Sequence, residues 1–95
     1  MAIKTQPFDA AKYLKDDPGG QVELLADALS TGDAGYVAHA LGVVARARGM
    51  SEVARASGMS RESLYKALSA GGNPELATIL RVTTALGFRL TADAA

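Results

Sequence analysis

The chain has 95 residues, of which 48% are hydrophobic, ten are basic, ten are acidic and none is cysteine. This length supports one domain with one core, and the lack of cysteine excludes disulfides, zinc–cysteine sites and thiol catalysis. A net charge of zero argues against bulk coating of nucleic acid, and no apolar run reaches the roughly 18 to 20 residues of a membrane-spanning helix.

The amino-terminal part of the chain predicts two helices. Asp9 is a suitable N-cap for a first helix over residues 10–15, which must end before Pro18 because proline disfavours helical backbone in the residue before it. The two glycines after the proline strengthen this break, and the second helix should follow them and end by Gly32. Its predicted inward face has the spacing i, i+3, i+4 and i+7: Val22, Leu25, Ala26 and Leu29.

The middle of the chain predicts three further helices. Asp33 is a suitable N-cap for a helix that runs to about residue 48 and stops at Gly49. Its inward residues are Val37, Leu41 and Val44. Two shorter helices, over 51–57 and 60–69, are separated by Gly58 and Met59.

The carboxyl-terminal part predicts one helix and a short strand. Asn73 and Pro74 favour an N-cap followed by proline at the first helical position, and Gly87 should close the helix. The predicted inward face consists of Leu76, Ile79, Leu80, Thr83 and Leu86. Residues 88–91 alternate apolar and polar side chains, as a strand would.

These elements predict a single all-α domain of five to six short helices, with or without a short C-terminal strand. Its parts are a helical extension over 1–32, a core over 33–87, and a strand and tail over 88–95. The amino terminus lacks the apolar stretch and cleavage site of a secretory signal. We therefore expect a soluble, cytoplasmic protein without a membrane contact.

Residues 50–69 have the spacing of a helix-turn-helix. Ala54 is small enough for two helices to cross closely, and Gly58 permits the left-handed backbone of a sharp turn. Leu64 would face inward from the second helix. The balance of residues 46–81, six basic against three acidic side chains, is also positive, which suits a nucleic-acid partner.

The outward face of residues 60–69 is the predicted DNA-reading surface. Ser60 would cap this recognition helix, and a rotation of about 100° per residue from Leu64 places polar side chains on the opposite face. They are Arg61, Glu62, Ser63, Tyr65, Lys66 and Ser69. Such donors and acceptors suit base edges in the major groove. Three further cations are better placed for phosphates: Arg46, Arg48 and Arg55.

The strings MSEVARASGMSRESLYKALS and GNPELATILRVTTALGFRL resemble addiction-module antidotes, the HigA-like antitoxins of the phage-repressor (Xre, lambda-repressor-like) helix-turn-helix superfamily. The resemblance implies a dimer on its own operator and neutralisation of a RelE/ParE-like toxin, commonly a basic ribonuclease. It also assigns DNA reading to Ser60, Arg61, Glu62, Ser63, Tyr65 and Lys66. A dimer predicts a palindromic operator, and unpaired backbone in residues 88–91 would suit the dimer interface.

Residues 1–45 carry six acidic side chains against three lysines. A ribonuclease must be basic to hold RNA, so this acidic excess could attract the toxin. The candidate contacts are Asp9, Asp16, Asp17, Glu23 and Asp27.

Other classes of function can be compared with the residues present in the sequence. An enzyme is disfavoured because His39 is the single histidine and no serine has an interpretable titratable partner. No metal cluster or phosphate loop is visible, so no cofactor is expected. The alternatives are a stand-alone phage-type repressor and a helical protein-binding module without DNA binding. For the latter, Phe8, Tyr13 and Tyr36 could mark a partner surface.

Overall fold

A computed structural model describes residues 9–69 and 71–95, and this part of the chain contains helices and no strand. The helices are α1 (Ala10–Tyr13), α2 (Pro18–Thr31), α3 (Ala34–Arg48), α4 (Met50–Ser57), α5 (Arg61–Ala67) and α6 (Leu76–Ala85). The predicted all-α class is therefore confirmed. No described helix is long and apolar enough to cross a membrane. Phe8 and the segment searched for a secretory signal lie outside the described residues.

Helix α3 forms the centre of the core, and it packs against α1, α2 and α4. Asp33 caps it as predicted, since its carboxylate accepts hydrogen bonds from the backbone N–H groups of Gly35 and Tyr36 at 2.9 and 3.3 Å. Its small residues permit close approach. A Cβ atom added at Gly42 would lie 2.8 Å from the carbonyl oxygen of Leu68, so α3 meets the end of α5 almost backbone to backbone.

Helix α2 begins earlier than the sequence predicted. Pro18 is its first residue, where the missing N–H is no loss, and the Asp17 carboxylate accepts a hydrogen bond from the Gly20 N–H at 3.0 Å. The two glycines therefore belong to the first helical turn instead of separating two helices. A Cβ atom at Gly20 would lie 2.8 Å from Cδ2 of Leu14, so the chain before the helix packs tightly on this turn.

The inward face of α2 also differs from the predicted one. Leu25 is buried, but the other three predicted residues are exposed: Val22, Ala26 and Leu29. The buried face is rotated and includes Gln21 and Ala28. The Gln21 amide donates to the carbonyl oxygen of Leu14 at 2.8 Å and accepts from Nε of Arg48 at 2.8 Å, so its burial leaves neither polar atom unpaired.

Helix α6 starts two residues later than the predicted first helical residue. Neither Asn73 nor Pro74 belongs to it, and Glu75 is the N-cap residue without a side-chain capping bond. Residues 71–75 instead follow the end of α5 closely, because the Gly72 N–H donates to the carbonyl oxygen of Ser69 at 2.8 Å. The buried residues of α6 are Val82 and Thr83, with Leu86 following, whereas Leu76 and Leu80 are exposed.

The predicted strand over 88–91 does not form, which corrects that expectation. A strand needs a partner for its backbone hydrogen bonds, and the described residues contain no other strand. The segment is held by its first residue instead. The Phe88 N–H donates to the carbonyl oxygen of Thr83 at 2.9 Å, its ring packs against the core, and the Arg48 guanidinium lies 5.4 Å from the ring centroid.

Candidate nucleic-acid interface

Helices α4 and α5 are joined by a tight left-handed turn. Gly58 has φ = 71°, a conformation that side chains with a Cβ disfavour. The backbone N–H of Met59 donates to the carbonyl oxygen of Ala54 at 2.9 Å, which closes the end of α4. Ala54 is buried where the helices meet, and Leu64 is completely buried below α5. These are the environments that the predicted motif assigns to the three positions.

The start of α5 is fixed by two serines. The Ser60 Oγ accepts a hydrogen bond from the Ser63 N–H at 3.0 Å and lies 2.8 Å from the Ser63 Oγ. This cap gives α5 a defined first turn whose positive dipole end faces solvent. Both hydroxyl groups therefore already make hydrogen bonds within the protein. The longer side chains of α5 are the ones left to contact a ligand.

The longer side chains of α5 lie together on one exposed side. With Ser69, which follows the helix, they line one shallow surface: Arg61, Glu62, Tyr65 and Lys66. Arg61 bridges this surface, since its Nη1 donates to the Ser51 Oγ of α4 at 3.4 Å and its guanidinium lies 5.7 Å from the Tyr65 ring centroid. The arrangement offers cationic donors, a carboxylate acceptor and an aromatic ring on one helix face.

The three arginines assigned to phosphates lie in different surroundings. Arg55 forms an exposed ion pair with Glu52 at 2.6 Å, which contributes little stability in water. Arg48 is engaged by Gln21 and Phe88 on the side of the molecule that faces α2 and the C-terminal segment. Arg46 is exposed and lies beside α1.

Arg81 on α6 supports the turn between α4 and α5, although the sequence reasoning gave it no role. Its Nε donates to the carbonyl oxygen of Ser57 at 3.1 Å, and its Nη2 donates to that of Gly58 at 3.0 Å. These carbonyl groups end α4 and have no partner within the helix. The signal was present in the sequence, because Arg81 is the single charged residue among residues 76–86.

The candidate toxin-contacting acids are all exposed, but three of them also have local partners. Asp9 caps α1 and Asp17 caps α2. Asp27 accepts a hydrogen bond from the Tyr36 hydroxyl at 2.8 Å, and this bond, with smaller effects of burial and charge, raises the pKa of Tyr36. Asp16 and Glu23 make no hydrogen bond or ion pair within the described part of the chain. His39 is exposed on α3.

Comparison with known proteins identifies the family. Residues 4–94 match the family described as probable addiction module antidote protein. The chain belongs to this family. A protein from Haemophilus influenzae described as uncharacterized is 42% identical over 89 residues, which cover 94% of this chain and 91% of the relative. No solved structure was found to match.

Membership confirms the antidote family that the sequence resembled, and it supports an antitoxin role in an addiction module. An antidote implies a toxin partner and suggests a regulatory protein instead of an enzyme. Among the residues described, no group of three or more potential metal ligands comes together.

Proposed function

We propose that this antidote-family protein is a cytoplasmic, sequence-specific DNA-binding antitoxin that represses its own operon and neutralises a RelE/ParE-like toxin. In this proposal α4, Gly58 and α5 act as a helix-turn-helix of the HigA-like, phage-repressor type. The observation that carries it is the polar, exposed face of α5. Leu64 is completely buried on the opposite face, and Ser60 caps the amino-terminal end of the helix. A helix anchored in this way can enter a major groove without rearranging.

The side chains on this face suit direct base reading. Lys66 and Arg61 can donate to the O6 and N7 atoms of guanine, and Glu62 can accept from the amino group of cytosine. Tyr65 and Ser69 flank them on the same surface. Arg61 is already oriented by Ser51 and Tyr65, which lowers the entropy that its binding to DNA would cost.

Replacement of Lys66 by alanine tests this function. The change should weaken binding by about 1 to 3 kcal/mol on a duplex enriched by in vitro selection, with a much smaller effect on a random duplex of equal length. Arg46→Ala, which removes an exposed cation assigned to phosphates, is the comparison variant and should weaken binding to both duplexes alike. An equal loss on both duplexes would mean that Lys66 reads no base. A wild-type chain that shows no sequence preference would favour the protein-binding module.

A homodimer is part of the proposal, because one recognition helix offers few base contacts and two copies can occupy half-sites one helical turn apart. The proposed interface combines the C-terminal segment Phe88–Thr91 with the exposed apolar side chains of Val22 and Leu29, which line the same groove. A chain truncated after Phe88 keeps the Arg48–Phe88 contact and should sediment as a monomer. A truncated dimer would place the interface elsewhere.

The toxin contact is proposed for the acidic side chains that precede α1, lie between α1 and α2, or belong to α2: Asp9, Asp16, Asp17, Glu23 and Asp27. Asp16→Lys combined with Glu23→Lys should slow association with a basic toxin at low salt without weakening operator binding. Asp17 is kept because it caps α2, so that loss of structure does not mimic loss of binding. Glu75→Lys, at an exposed residue whose side chain makes no capping bond, is the control. Unchanged association of the double variant would assign the toxin contact to another surface.

A further inference from the structure

Two lysines of the acidic N-terminal region lie beside the carboxyl end of α3. Lys12 and Lys15 line an open hollow of about 470 Å³, and Arg46 and Arg48 line the same hollow from α3. Both lysines and Arg46 are exposed. Within the described residues, none of these three cations forms an ion pair. We refer to Lys12, Lys15 and Arg46 as the basic bay.

The packing of α1 fixes the position of these lysines. Ala11 is buried in a small cluster with Val43 and Ala47 of α3, so the short helix lies flat against its neighbour. Its first turn is secured by Asp9, which accepts hydrogen bonds from the Ala11 and Lys12 N–H groups at 3.1 and 3.4 Å. The fold therefore holds Lys12 next to the end of α3, although α1 has only four residues.

No ion pair neutralises the charge of the bay within residues 9–69 and 71–95. Among the described residues that line the hollow, Asp9 is the one carboxylate, and its Oδ1 already accepts hydrogen bonds from two backbone N–H groups of α1. Arg48 adds a fourth cation, but it is bound to Gln21 and lies over Phe88. Gathering like charges in this way is unfavourable for the free protein and favours an anionic ligand.

The bay adjoins the surface proposed to bind DNA. Gly49 closes the hollow on one side and lies two residues before Ser51. The Ser51 Oγ accepts a hydrogen bond from Arg61 at the beginning of α5. The hollow is therefore next to the amino-terminal ends of α4 and α5, where the phosphate backbone would pass when α5 occupies a major groove.

We propose that the basic bay binds DNA phosphates flanking the bases that α5 reads, so that α1 extends the DNA-binding surface beyond the helix-turn-helix. This inference rests on the proposed DNA-binding function. Phosphate contacts carry no sequence information, and they make affinity strongly dependent on salt. The bay therefore adds affinity for all sequences and leaves the choice of operator to α5.

The double variant Lys12→Gln and Lys15→Gln tests the proposal. On a selected duplex with long flanks, the slope of log Kobs against log salt should become shallower by about 0.9 for each phosphate that a protomer no longer neutralises. The affinities for selected and random duplexes should fall by the same factor. The effect of Lys15→Gln alone should exceed that of Ala34→Glu, a control with the same change of charge at an exposed residue at the opposite end of α3 from Arg46. Trimming the flanks should weaken binding by the wild-type protein more than binding by the double variant, which keeps only Arg46 of the bay.

Three results would overturn the inference. A wild-type salt slope in the double variant, together with loss of specific binding by Lys66→Ala, would reject the bay and leave the proposed function standing. A wild-type slope with a weakened toxin complex would assign the bay to an acidic protein surface. Absence of DNA binding by the wild-type chain would overturn both the bay and the proposed function.

Discussion

The central helices α3 and α5 and the flanking helices α2 and α6 differ in the burial of their apolar residues. In α3 and α5 the residues predicted to face inward are buried: Val37, Leu41, Val44 and Leu64. In α2 and α6 large apolar residues that were predicted to be buried are exposed: Val22, Leu29, Leu76 and Leu80. Packing dictates residue type at the centre. The flanks carry more apolar surface than one small core can bury, and this surface is available to partners.

The difference between central and flanking helices can be tested most strongly by truncating one leucine of a central helix and one of a flanking helix. Leu64→Ala should lower the free energy of unfolding by about 2 to 5 kcal/mol, because it leaves a cavity below α5. Leu76→Ala makes the same chemical change at a side chain that is 66% exposed, and it should change stability by less than about 0.5 kcal/mol. Urea denaturation measures both. Similar losses would show that α6 is packed as tightly as the centre.

Two glycine substitutions should have opposite signs. Gly42→Ala would bring a Cβ to 2.8 Å from the Leu68 carbonyl oxygen, and we expect a loss of about 1 to 3 kcal/mol despite alanine's higher helix propensity. Gly19→Ala in the first turn of α2 meets only an ordinary contact at 3.7 Å and should stabilise by about 0.4 to 1 kcal/mol. Thermal unfolding distinguishes the two. A stable Gly42→Ala protein would show that α3 and α5 can separate without cost.

Removal of the Arg81 side chain tests how a flanking helix supports the centre. Arg81→Ala deletes hydrogen bonds to the carbonyl oxygens of Ser57 and Gly58 and should cost about 1 kcal/mol, because the group is exposed to water. It should also speed hydrogen exchange at the end of α4. Lys66→Ala, which removes an exposed cation without such a contact, is the control. Unchanged exchange at Met59 would mean that the glycine turn is stable without α6.

The smallest expected effect concerns Tyr36, which joins α3 to α2. Its raised pKa means that the contribution of the protonated phenol is complete below the ordinary tyrosine value of about 10 and is lost as the pH rises through the folded value. Spectrophotometric titration should show that the transition of Tyr36 moves to lower pH in Asp27→Ala. Glu23→Ala should leave it in place. An unshifted titration in Asp27→Ala would remove Asp27 as the cause.

The sequence predicted the central helices well because one apolar stripe dominates each of them. Helix α2 has two overlapping stripes that share Leu25, and helical spacing alone cannot choose between them. The structure buries the stripe that contains Gln21, whose amide finds both a carbonyl acceptor and an arginine donor. The predicted start of α6 at Pro74 was also wrong. The preceding chain forms a turn in which the Gly72 N–H donates to the carbonyl oxygen of Ser69, and a propensity for helix starts does not predict such a turn.

The candidate site was also predictable only in part. The outward face of α5 follows from helix geometry once Leu64 is known to be inside, and five of the expected side chains share one surface. The environments of Arg48 and Arg81 depend on contacts with residues 27 and 24 positions away, respectively. No local pattern encodes such contacts. The basic bay was not predicted for the same reason. Its lysines belong to the acidic segment 1–45, whereas Arg46 belongs to the basic segment 46–81.

The Gln21 amide has a consequence for the orientation of α2. A rotation of α2 by one residue would bury Val22 in place of Gln21, and hydrophobicity alone gives no reason to reject that alternative packing. The two directional hydrogen bonds of the amide are satisfied in only one rotational state, so they discriminate between two arrangements of similar apolar area. We therefore expect Gln21→Leu to populate both rotational states of the helix. In the rotational state that the amide favours, Val22 and Leu29 are exposed, so a partner that binds them would meet a preformed apolar surface.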